Sequence, residues 1–114
     1  MDRTDATMIH VTTTCADIGQ ARQIARALLQ PRLAACVTIT PGVLSLFHWQ
    51  GRIEEDSEVT LVAKTLPAHR AAVVAAIGQA HPYDLPVITW ETVGTTPEAQ
   101  AWCAAETGGV QASD

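Results

Sequence analysis

The sequence predicts an α+β domain: a ferredoxin-like βαββαβ sandwich with a long central β-hairpin and a C-terminal helix. Three observations carry this. β-branched runs and helical-period segments follow one another in the order strand, helix, strand, strand, helix, strand. Breaker residues separate them at Pro31, Gln50-Gly51, Pro67 and Pro82. The two middle extended runs are much longer than the others. The 114 residues are read as one domain, 1–114, with an ordered core of about 7–106 and loose ends at Met1–Ala6 and Gly108–Asp114.

The first strand is expected over Met8–Thr14, which is β-branched and free of Gly and Pro. Asp17 stands three residues before Gln20, a capping-box-like start. Ile18, Ala21, Ile24, Ala25, Leu28 and Leu29 then recur at helical spacing, with Arg22 and Arg26 on the wet side. Pro31 ends that helix. Leu33–Trp49 is extended and interrupted by Pro41-Gly42, a bulge signal. Gln50-Gly51 is a tight turn into a third strand, Ile53–Thr65. Pro67 opens a second helix with Val73, Val74 and Ile77 as its stripe, closed by Gly78 and Pro82. Leu85–Val93 is the fourth strand. Thr96-Pro97-Glu98 opens a last helix with Ala101, Trp102 and Ala105 facing in.

Composition excludes several classes. The chain is 47% apolar and 17% charged, which removes the disordered class. A net charge of −5 without a basic stripe argues against nucleic acid. No apolar run is long enough to span a bilayer, and Met1–Met8 has no apolar leader core, so no membrane partner is expected. Cys15, Cys36 and Cys103 are an odd set at irregular spacing, which suits free thiols in a cytoplasmic protein.

The hairpin is too long for its domain. A strand of ~15 residues spans roughly 50 Å, against a diameter of roughly 35 Å for a compact chain of this size. The overhang carries Leu44, Leu46, Phe47 and Trp49. A bare apolar ribbon aggregates, so these residues are expected at an oligomer interface. The alternative is that Pro41-Gly42 splits the run into two ordinary strands of a monomer.

Several segments resemble the CutA family of divalent-cation-tolerance proteins. They are Thr14-Cys15-Ala16-Asp17, Arg32-Leu33-Ala34-Ala35-Cys36-Val37, Pro41-Gly42 and Trp49-x-Gly51. Gly51–Val59 follows, with Lys64-Thr65 closing its strand, and then His81-Pro82-Tyr83-Asp84-x-Pro86. The likeness covers roughly residues 8 to 105, and its order and spacing are specific. It implies a ferredoxin-like homotrimer joined by inter-subunit sheet pairing, similar in architecture to the PII proteins. It also implies a role in divalent-cation tolerance, mainly of copper, with copper or another divalent cation as the bound group and no enzymatic reaction. Three positions depart from the pattern: Ala80 replaces a second His before His81, Thr13 stands where copper-associated members carry a Cys, and Val87 replaces an acidic residue.

Cys15 with His81 is the candidate metal pair, since thiolate and imidazole suit copper or zinc. The bland alternative is a buried thiol and a turn-capping histidine. His10 and His48 read first as core or interface groups, and His69 as solvated. Glu54, Asp56 and Glu58 share a strand face, either to hold a hard cation or to block edge pairing, the latter preferred. A ligand cleft is expected to include Trp49, Lys64, Tyr83 and Trp90, with Lys64 or Arg32 as the group to hold an anion. No nucleophile turn, phosphate loop or dinucleotide fingerprint is present, so no enzyme is expected. The competing function is a PII-like trimer that binds a small ligand or a protein.

Overall fold

A computed structural model describes residues 5–108. The elements are β1 (Ala6–Cys15), α1 (Ile18–Leu29), β2 (Cys36–Trp49), β3 (Arg52–Thr65), a 3-10 turn (Pro67–His69), α2 (Arg70–Ala80), β4 (Ile88–Thr95) and α3 (Pro97–Glu106). The sheet is antiparallel in the order β2-β3-β1-β4, the ferredoxin-like arrangement expected from the element order.

Side-chain alternation divides the sheet into two faces. Ile9, Val11 and Cys15 of β1 and Val59, Leu61 and Ala63 of β3 bury against Ala21, Ile24 and Leu28 of α1 and Val73 and Ile77 of α2. The opposite parity places His10, Lys64 and Cys36 on the other face, where Lys64 pairs with both His10 and Cys36. Ala6 and Met8 share that second face and are nonetheless buried, as is Cys103 of α3. α3 therefore covers one end of it, and Gln100 Nε2 donates to the Thr7 carbonyl at 3.1 Å.

Local chemistry sets the boundaries. Asp17 caps α1, its Oδ1 accepting from Gln20 N at 2.8 Å while Gln20 Oε1 accepts from Ala16 N at 3.1 Å. β2 begins at Cys36 instead of Leu33. The N–H groups of Leu33 and Ala34 still bond the Leu28 carbonyl, and Arg32 sits at φ 62°, so the chain is closing α1 until Ala35. β4 begins at Ile88 instead of Leu85, because Pro86 offers no ladder N–H and residues 85–87 form the approach loop. α2 runs through Gly78 to Ala80, with His81 as its C-cap. On α3 the inward residue is Cys103; Ala101, Trp102 and Ala105 are exposed, contrary to expectation. Pro97 fixes where the first turn starts, and that phase turns Trp102 outward. Leu29 likewise reaches solvent at the end of α1. Of the two ends expected to be loose, residues 1–4 and 109–114 lie outside the described residues. Ala6 is a buried strand residue, and Gly108 N donates to the Arg32 carbonyl at 2.9 Å.

The hairpin projects as its length requires. Both strands have 14 residues, and the molecule measures 47 × 39 × 21 Å. Its radius of gyration is 15.5 Å, above the about 13 Å of a compact chain this long. A bulge between Thr40 and Val43 adds one residue to β2. This turns the outer half of the ribbon relative to the core. Leu44, Leu46 and Ile53 are 63%, 60% and 69% exposed. Gln50 (φ 51°) and Gly51 (φ 81°) make the two-residue turn at its tip, both in the left-handed region that this hairpin turn demands.

Candidate functional site: the groove beside the hairpin

A groove of about 890 Å³ runs between the ribbon and the loop after α2. The ribbon supplies Leu46, Phe47, Trp49, Glu54, Asp56 and Glu58; the loop supplies Tyr83, Asp84, Leu85 and Val87. Register explains the acidic wall. Ser45 pairs with Asp56, Phe47 with Glu54 and Val43 with Glu58, so the three carboxylates line up at every second residue of β3.

These carboxylates are not equivalent. Glu58 is buried, and Tyr83 Oη donates to its Oε2 at 2.6 Å. Burial and this bond raise the Tyr83 phenol well above its ordinary value, since ionisation would place a phenolate beside a carboxylate. Glu54 meets Arg52 at 3.2 Å on the surface. Asp56 and Asp84 also line the groove.

His81 and Cys15 lie at the inner end. The Tyr83 N–H donates to His81 Nδ1 at 3.2 Å, and His81 Nε2 lies 2.8 Å from the Thr14 carbonyl. An accepting Nδ1 leaves the proton on Nε2, so this network selects the Nε2–H tautomer and engages both ring nitrogens. The ring also packs tilted on Tyr83, with centroids 4.6 Å apart. Cys15 is fully buried, and its thiol points at the Asp17 carbonyl at 3.8 Å. Burial, and next the Asp17 charge, push that thiol up. Both residues are thus built into the frame of the loop and strand end. Among the described residues, no three His, Cys, Asp or Glu side chains cluster closely enough to hold a metal ion.

The residues expected in a ligand cleft divide. Trp49 and Tyr83 line the groove. Lys64 is on the α3-covered side of the sheet, opposite His10 and Cys36. Trp90 pairs with Val11, hence on the helix face, where the Arg70 guanidinium stacks 4.7 Å from its ring centre. One chain does not bring Lys64 or Trp90 to Trp49 and Tyr83. The expected interface residues Leu44, Leu46, Phe47 and Trp49 are all exposed on the ribbon.

Sequence reasoning missed the Tyr83–Glu58 bond, because no local signal links a loop to a strand position 25 residues away. It also singled out Thr13 only as a missing cysteine. Thr13 is buried, and its Oγ1 donates to the Val87 carbonyl at 2.9 Å, tying the loop to β1 through backbone whatever side chain stands at 87.

The chain matches the family model described as CutA1 divalent ion tolerance protein over residues 9–106. A divalent-cation tolerance protein CutA of Pectobacterium atrosepticum is 40% identical over 85 residues, covering 75% of this chain and 77% of the relative. The crystal structure of CutA from Xylella fastidiosa superposes with a TM-score of 0.85 at 38% identity, over 89% of this chain and 98% of that one. A CutA of Archaeoglobus fulgidus, described as a periplasmic divalent cation tolerance protein, superposes with a TM-score of 0.83 at 30% identity, over 87% and 97%.

Proposed function

From the premise that this chain belongs to the CutA1 divalent ion tolerance family, we propose that it serves in tolerance of divalent metal cations, copper foremost, as a cytoplasmic homotrimer without catalysis. The observation that carries the reading is the groove: one wall is a ribbon that projects with Leu44, Leu46 and Ile53 uncovered. A lone chain leaves that ribbon in water. Neighbouring copies that pair with it bury the apolar side chains and close the groove. A cation then meets carboxylates from more than one subunit, which is the consistent route to a full ligand set where the described residues of one chain supply no cluster of three. On this reading Cys15 and His81 are structural, because a metal there must displace the bonds that hold the loop. Three free thiols support the cytoplasmic assignment; the periplasmic description of the Archaeoglobus relative is the alternative to exclude.

One observation favours a second reading, a PII-like trimer for a small organic ligand or a protein. Leu46, Phe47, Trp49, Tyr83, Leu85 and Val87 make the groove mostly apolar, and its size suits a small molecule. Native mass spectrometry of protein purified without chelator separates the two. Trimers carrying a divalent ion support the first, trimers carrying an organic mass support the second, and a bare monomer removes both.

A further inference from the structure

Cys36 and Cys103 are two free thiols, and neither lines the groove. Cys36 opens β2 opposite Lys64, on the sheet face that α3 covers. Cys103 is fully buried on the inner face of α3. The end of α3 is clamped to the entry of β2 by two contacts. Arg32 Nη2 meets Glu106 Oε1 at 3.2 Å, and the Arg32 carbonyl accepts from Gly108 N at 2.9 Å. Arg32 lies just before Cys36 in the chain, and Glu106 lies one helical turn after Cys103. The clamp therefore ties the turn that leads into β2 to the C-terminal end of α3. Charge on Cys36 is also close enough to oppose ionisation of Cys103, second to burial as a cause of its raised pKa.

The two thiols differ in access. Cys36 is half-buried on the first residue of an edge strand, its sulfur 4.0 Å from the Thr38 hydroxyl. Cys103 is shielded, and its neighbour Thr107 is occupied in donating to the Cys103 carbonyl at 2.8 Å. One reachable thiol beside one sheltered thiol is the arrangement in which the first meets an oxidant and the second resolves the product.

We propose that Cys36 is a peroxide-reactive thiol and Cys103 its resolving partner, so that oxidation closes an intrachain disulfide between β2 and α3. In the first step the Cys36 sulfur attacks one peroxide oxygen. An S–O bond forms, the O–O bond breaks, and the second oxygen leaves as water with the thiol proton, giving a sulfenic acid. In the second step the Cys103 sulfur attacks the sulfenic sulfur. The S–S bond forms, the S–O bond breaks, and hydroxide leaves as water with the Cys103 proton. Two thiols are oxidised and one hydrogen peroxide is reduced to two waters. A dithiol reductant reverses the change by exchange. The closed loop contains β3, α2 and β4, so the bond pins α3 across most of the domain.

The test is peptide mapping without reductant on the full native chain after brief exposure to hydrogen peroxide. The proposal expects the Cys36 and Cys103 peptides to be recovered joined, Cys15 to stay a free thiol, and dithiothreitol to separate the pair. In Cys103→Ser the reaction stops at a Cys36 sulfenic acid that dimedone traps. Amide exchange in α3 slows on oxidation of the native chain and not of that variant. Cys36 recovered as a sulfinic acid beside a free Cys103, Cys36 joined to the Cys36 of a second copy, or an unreactive Cys36 each overturns it.

Discussion

The hydroxyl of Tyr83 donates to Oε2 of Glu58 at 2.6 Å, fastening the loop after α2 to the base of the projecting hairpin. Glu58 is only 8% exposed, so its carboxylate depends on this partner. Tyr83→Phe should lower stability by about 1–2 kcal/mol, read by urea denaturation at fixed protein concentration. Glu58→Gln keeps an acceptor and should cost less than Glu58→Ala. Equal losses for those two would show that the bond does not matter.

Tyr83 is the single tyrosine of the chain, so phenolate absorbance reports it alone. Its pKa is raised by burial first and by the Glu58 bond second. The folded state therefore keeps its proton after the unfolded state has lost one at a pH of about 10. Stability that rests on the protonated phenol is fully present below that pH and falls as pH rises beyond it. The native titration should be shifted upward and should return to the ordinary range in denaturant. An ordinary native titration contradicts the placement of Tyr83 against a buried carboxylate.

The thiols should react in order of access. Cys36 is half-buried, while Cys15 and Cys103 are fully buried and raised above the ordinary thiol value mainly by burial. A neutral alkylating reagent should modify Cys36 in the native chain and reach the other two only on unfolding. Because the folded pKa of each buried thiol lies above its unfolded value, its contribution to stability is lost as pH climbs past about 9. Native labelling of Cys15 would contradict its place under α1 and α2.

The hairpin tip rests on backbone conformation. Gly51 has φ 81° and nothing within 4 Å of a virtual Cβ, so strain and not crowding penalises a side chain there. Gly51→Ala should cost roughly 1–2 kcal/mol. Gln50→Asn should be neutral or stabilising, since Asn tolerates the left-handed region better. Thermal melts at fixed concentration check both.

Much of the fold was legible in the sequence, because period and punctuation agree there. Asp17 and Gln20 form the capping box that their spacing announced, and Pro41-Gly42 marks the bulge. The misplaced boundaries have local causes that a pattern does not show. Leu33 and Ala34 look extended but complete the end of α1, and Pro86 delays β4. Trp102 looks like a core residue by hydrophobicity, yet the phase of α3 from Pro97 assigns the inner face to Cys103. The site was less legible. Alternation placed Glu54, Asp56 and Glu58 on one face, but only tertiary packing distinguishes Glu58, and only register separates Lys64 from Trp90.

The copper uptake proposed for the trimer should survive Cys15→Ser and His81→Ala once each variant is shown to be folded and assembled. Both ring nitrogens of His81 and the Cys15 thiol are engaged within the chain. Titration calorimetry should instead show uptake weakened by Asp56→Asn, which leaves the Tyr83–Glu58 bond intact. Uptake abolished by Cys15→Ser alone would restore the thiol as a ligand.

The most direct test is sedimentation equilibrium of the reduced chain at micromolar concentration. The account requires one species of three times the chain mass, in which Leu44, Leu46 and Ile53 are withdrawn from water. A stable, folded monomer with the ribbon left bare would contradict it.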